Sequence, residues 1–123
     1  MFRLALILAM LAQPAAAQSL ASRFTGIWRG DGIETGGTRW AMTLFLRPDG
    51  AVVDYPDFPC SAYWTLGSES DGRLFATEHL VAGRTLCADD LRVMIRSDGR
   101  QGLLIEWTYP DGSVSAVAQL ARQ

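Results

Sequence analysis

The residues of this chain best suited to chemistry are two cysteines, one histidine, a glutamate beside it, and two short groups of aspartates. Cys60 and Cys87 show no C-x-x-C spacing, and His79 is the single histidine of the sequence. A structural zinc site and a redox dithiol both need closer Cys and His clustering, so the two cysteines are expected to pair with each other. Asp54, Asp57, Asp89 and Asp90 lie around the cysteines, with Tyr55 and Phe58 among them. Such a patch suits a cationic or aromatic partner, or weak calcium binding. Its spacing matches no ordered calcium loop, however, and no metal is assigned. Glu78 and His79 are the candidates for acid or base work, but neighbours on a strand face opposite ways and cannot act as a pair. G-x-S-x-G, a phosphate-cradling glycine loop and H-E-x-x-H are all missing, so no catalytic residue and no cofactor is assigned.

The elements that must position these residues read as strands. In TRWAMTLFLR, Trp40, Met42, Leu44 and Leu46 share one face. Leu91, Val93 and Ile95 do the same in a later run, as do Leu103, Ile105, Trp107 and Tyr109, and then Val114, Ala116, Ala118 and Leu120. Period-2 alternation repeated this often means half-buried strands, and no helical stripe appears after the first residues. Asp-Gly turns at Asp49, Asp71, Asp98 and Asp111 separate the runs. Aspartate bonds its own backbone there and glycine accepts the left-handed conformation, which makes each a hairpin signal. The pattern predicts an all-β chain of about eight antiparallel strands, beginning near residues 25, 38, 51, 61, 73, 91, 103 and 113. A meander closed, or nearly closed, into a small barrel removes exposed edges; a two-sheet sandwich is the alternative.

Connections in a meander alternate between the two ends. The third-to-fourth connection, DYPDFPC, and the fifth-to-sixth, VAGRTLCADD, therefore share a rim. That topology carries Cys60 and Cys87 to one mouth, where a disulfide can join them. Pro56 and Pro59 stop the third strand and stiffen its loop. Asp54, Tyr55, Asp57, Phe58, Asp89 and Asp90 then form a candidate binding rim, with Tyr55 and Phe58 exposed. The facing of the strand near residues 73–80 stays open. Leu74, Ala76 and Leu80 would turn Glu78 inward, whereas Phe75 would turn His79 inward. Trp28, Trp40, Trp64 and Trp107 fall on separate strands, where they either line a ligand cavity or fill the interior; bulky neighbours favour filling.

The chain opens MFRLALILAMLAQPAAAQ, with Arg3 before an apolar run and Ala15–Ala17 before a cleavage point. This reads as a secretory leader over residues 1–17, ahead of a single β domain over 18–123. The run is too short to span a bilayer, and no cysteine lies at the cleavage point to accept a lipid, so neither membrane span nor lipid anchor is expected. Losing Arg3 takes the net charge from −2 to −3, and the chain has no lysine. A mildly acidic chain without a basic cluster is a poor partner for nucleic acid or an anionic membrane. The expected location is periplasmic or secreted, where a disulfide persists.

GIWRG at residues 26–30 is similar to the G-x-W opening of lipocalin-like barrels. A second pattern runs Tyr55-Pro56, Cys60, Trp64, then Glu78, Leu80, Gly83, Cys87. It resembles a small extracytoplasmic bacterial domain, found alone and attached to signalling proteins, for which no activity is settled. The resemblance implies a disulfide-bonded β domain with a sensing or binding role. Taken together, the expectation is a non-enzymatic exported binding module acting through its stapled rim on a ligand the sequence does not identify, with a protein as one candidate. The alternatives are a carrier of a small apolar ligand and, less favoured, an enzyme using Glu78 or His79.

Overall fold

The computed structural model describes residues 18–123; the expected leader lies outside the described residues. Eight antiparallel strands follow one another around a closed barrel in chain order. They are β1 (Gly26–Glu34), β2 (Arg39–Arg47), β3 (Gly50–Tyr55), β4 (Cys60–Ser70), β5 (Arg73–Ala82), β6 (Arg92–Ser97), β7 (Gly102–Thr108) and β8 (Val114–Arg122). Every strand begins within one residue of its expected start, because turn chemistry and period-2 alternation agree along the chain. Closure comes from β1 pairing with β8, from Trp28 opposite Arg122 to Glu34 opposite Ala116. No sheet edge is left exposed, and the sandwich alternative is excluded.

Alternation puts Met42, Leu44, Leu46, Val53, Leu74, Val93, Ile95, Leu103, Ile105 and Leu120 into one core. Three inward tryptophans each stand opposite a small residue: Trp40 faces Gly32, Trp64 faces Ala51, and Trp107 faces Ala116. A narrow barrel accepts such large rings only where the facing wall gives up volume. A β-carbon at Gly32 would lie 2.3 Å from the Trp40 ring, so glycine is what lets that ring lie flat against β1.

Two expectations need correction. A one-turn helix, α1 (Leu20–Arg23), precedes β1; Ser19 caps it by accepting from the Ser22 amide. One turn is too short to show periodicity. It lies against β2 and β5 at the barrel end that carries the turns after β2, β4 and β6. Tyr109 and Val114 were grouped with the inward faces, yet they are 43 % and 40 % exposed. The pairing of β7 with β8 slips after Trp107, so Thr108 meets Val114 and the alternation breaks at the rim.

Candidate functional site

The end of the barrel opposite α1 is shaped by the connections that follow β1, β3, β5 and β7. Cys60 opens β4 and Cys87 sits in the β5–β6 connection; they form a disulfide with Cα atoms 6.6 Å apart. The stapled rim therefore exists where the meander puts it. Gly83 fits beneath it at φ +82°, in the left-handed region, and a β-carbon there would come within 2.5 Å of the Cys60 sulfur. Its carbonyl accepts from the Leu86 and Cys87 amides, folding the loop back over the bridge.

Most of the acidic rim is occupied with holding backbone. The Asp57 carboxylate accepts from the Ala41 amide at 2.6 Å, beyond the point where β3 stops pairing with β2. Asp89 accepts from the Leu80 and Asp90 amides at 2.9 Å each, supplying a partner where β5 outruns β6. Those bonds hold the Asp89 carboxyl below the ordinary aspartate range. Asp54 points outward on β3 and is exposed. Among the described residues, no three His, Cys, Asp or Glu side chains come together as a metal site.

Tyr55 is not part of an exposed patch. It is the last residue of β3, and the alternation that turns Ala51 and Val53 inward turns it inward too, leaving it 7 % exposed. Pro56 ends the strand only after this residue. Its hydroxyl donates to Glu78 Oε1 inside the barrel. Phe58 remains on the rim, half-buried against the core.

The open question about β5 is resolved with Glu78 inside, 3 % exposed and the one buried charged residue among those described. His79 lies on the outer wall, stacked on Tyr63 at 4.9 Å. Its Nε2 is 2.9 Å from Thr65 Oγ1, and its Nδ1 is 3.5 Å from Asp90. Phe75, which favoured the opposite facing, is half-buried on that same outer wall.

Above Glu78 the barrel opens into a cavity of about 420 Å³. Trp40, Tyr55, Leu80, Leu91 and Trp107 line it with Glu78, and the rim of its mouth includes Glu34, Phe58, Leu86 and Ala88. Trp40 packs edge-on to Tyr55 at 5.4 Å and to Trp107 at 5.3 Å, and Trp64 stands 6.2 Å from Trp107. The interior is thus filled below and hollow at the stapled mouth. Trp28 belongs to the filled end, where its Nε1 donates to the Phe24 carbonyl and the Arg122 guanidinium lies 4.2 Å over its ring. Trp40 Nε1 and Trp64 Nε1 are fully buried without an acceptor among the described residues.

Burial raises the Glu78 pKa above the ordinary glutamate range; the Tyr55 hydroxyl and the nearby Trp64 and Trp107 indoles pull it back only in part. The Tyr55 phenol is pushed well above its usual value by burial and by Glu78. A carboxyl whose folded pKa exceeds its unfolded one holds its proton more tightly in the folded chain. Stability then falls as pH rises from the ordinary glutamate range through the raised value, by about 1.4 kcal/mol per unit of separation. Glu78→Gln is expected to flatten that loss in urea-unfolding midpoints taken from about pH 4 to about pH 9. It should leave the acid limb set by the lowered Asp89, Asp98 and Asp111, which lose their contribution as pH falls. Parallel profiles for the two proteins would remove Glu78 as the cause.

The fold of this site has counterparts among solved structures. A redesigned beta barrel superposes with a TM-score of 0.63 at 15 % identity, covering 85 % of this chain and 95 % of that one. A de novo designed fluorescence-activating beta barrel superposes with a TM-score of 0.58 at 14 % identity, covering 86 % of this chain and all of the other. At these identities the likeness is one of fold. No family model and no curated protein matches the sequence. What the comparisons establish is that this chain shares the architecture of small closed β-barrels.

Proposed function

We propose that the protein is an exported, non-enzymatic binding module that admits a small molecule with an apolar body through the stapled mouth of its barrel. The cavity over Glu78 carries this reading: its volume of about 420 Å³ falls in the range that holds small ligands, and it sets the rings of Trp40 and Trp107 with Leu80 and Leu91 among polar groups at its floor and rim. Docking a protein on the rim loses its main anchor, because Tyr55 faces the cavity. Glu78 does stand beside a second ionisable group, as an acid–base site would require. We read the Tyr55–Glu78 pair as recognition, since a phenol donating to a carboxyl fixes the polar pattern of the cavity floor. The Cys60–Cys87 bridge is compatible with an oxidising compartment and supports a periplasmic or secreted location.

A neutral solvatochromic dye, Nile red, tests the reading. Its emission should shift to the blue and saturate at one dye per chain. Ala88 is an exposed rim residue beside the mouth, so Ala88→Trp should obstruct entry without touching the core. Dye affinity is expected to fall by about tenfold, or about 1.4 kcal/mol, with the unfolding midpoint unchanged. Absent dye binding, or binding indifferent to Ala88→Trp, would overturn the cavity as the working site.

A further inference from the structure

The cavity has a pronounced charge asymmetry. Glu78 lies at its floor and Glu34 at its rim, and no arginine lines it among the described residues. Arg84, in the connection after β5, is turned elsewhere: it donates to the Leu80 carbonyl and lies 3.8 Å from Asp89. The Glu78 carboxyl accepts from Tyr55 through Oε1, the Trp64 and Trp107 indoles stand near it, and the residue lines the cavity. Around it stand Trp40, Tyr55 and Trp107, with Trp40 close to perpendicular to both of the others, at 88° and 74°. A buried acid ringed by aromatic π-systems, with neutral donors around it and no cation of its own, lacks one component. Aromatic rings attract cations through their quadrupole, and a charge-assisted hydrogen bond to a carboxylate is among the strongest polar contacts in a dry site.

We infer that the ligand is an organic cation, an alkyl- or arylammonium whose nitrogen meets the Glu78 carboxyl while its apolar body rests among Trp40, Trp107, Leu80 and Leu91. The inference rests on the cavity being the binding site and adds the charge class of what enters. An ammonium group supplies the missing positive charge, which the neutral donors around Glu78 do not. A carboxylate of the same shape would meet Glu78 and Glu34 with like charge. A neutral alcohol would gain the burial and one ordinary hydrogen bond. The other ionisable groups near Glu78 are Tyr55 on β3, Asp89 in the β5–β6 connection, and Glu34 and Tyr109 at the rim. None carries positive charge.

Three probes of similar shape separate these cases: 2-phenylethylammonium, 2-phenylethanol and 3-phenylpropionate, each titrated against the protein with bound Nile red and by calorimetry near neutral pH. The ammonium should bind about tenfold tighter than the alcohol, with the carboxylate weakest. Glu78→Gln keeps the shape and an acceptor for Tyr55 while removing the charge. In that variant the gap between ammonium and alcohol should close to about twofold or less. A retained Nile red signal shows the variant is folded and open. The charge inference falls if the alcohol or the carboxylate binds as tightly as the ammonium, if no probe displaces bound dye, or if Glu78→Gln spares the gap. The cavity reading survives each of those outcomes, because it depends on dye binding and its sensitivity to Ala88→Trp.

Discussion

Replacing both Cys60 and Cys87 by alanine is expected to lower unfolding stability by about 2–4 kcal/mol, enough to drop the melting temperature on the order of 10–20 °C in a domain of this size. The double variant avoids leaving a single reactive thiol. The loss has two sources. Cutting the bridge frees a loop containing all of β4 and β5, which raises the entropy of the unfolded chain. It also releases the connection from Gly83 to Asp90, which has little regular structure and is held by the Gly83 turn, Arg84 donating to the Leu80 carbonyl, the Asp89 carboxylate and the sulfur bridge. Leu86 is exposed there and Cys87 is only half-buried, so hydrophobic burial anchors this segment weakly. Urea unfolding with and without reductant measures the effect on the native chain as well. An unchanged midpoint in the double variant would show that Gly83 and Asp89 hold the rim without the disulfide.

The same segment shows what could be read from the sequence and what could not. Strand number, order and rim placement followed from period-2 faces and Asp-Gly turns, which are local signals that closure does not disturb. The pattern Tyr55, Cys60, Trp64, Glu78, Leu80, Gly83, Cys87 marked the right residues but gave no account of their spacing. In the structure they meet along the wall that runs down from the stapled mouth: Tyr55 lies opposite Cys60 in the β3–β4 pairing, Trp64 lies opposite Glu78 in the β4–β5 pairing, and Gly83 clears space for the Cys60 sulfur. Register across strands is not written in any single strand, so these encounters stayed hidden. The rim aspartates misled for a related reason. A carboxylate bonded to a backbone amide at the end of a ladder looks, in sequence, like one waiting for a partner. Tyr55 was the avoidable error, since the alternation of Ala51 and Val53 already turns it inward.

Trp64→Ala is expected to have the largest effect of any single change at the site, about 3–5 kcal/mol of lost stability. Trp64 is 1 % exposed, faces Ala51 on one side and Glu78 on the other, and packs against Trp107. Alanine would therefore leave a void that neither small neighbour can fill, next to a carboxyl already costly to bury. Because stability in domains of this kind is roughly 5–15 kcal/mol, such a loss approaches the whole in the lower part of that range. The cost of Trp64→Ala should also depend on Glu78. A void beside the carboxyl admits water and relieves its desolvation, so the two substitutions share an environment and their effects should not add. In a double-mutant cycle with Glu78→Gln, Trp64→Ala should cost more in the glutamine background than in the native one at a pH where Glu78 is ionised, since only the native background recovers hydration of a charge. Urea midpoints for the four proteins at that pH measure the coupling. Additivity within about 0.5 kcal/mol would mean that the indole and the carboxyl stabilise the barrel independently, and that solvation of Glu78 is controlled from the cavity side alone.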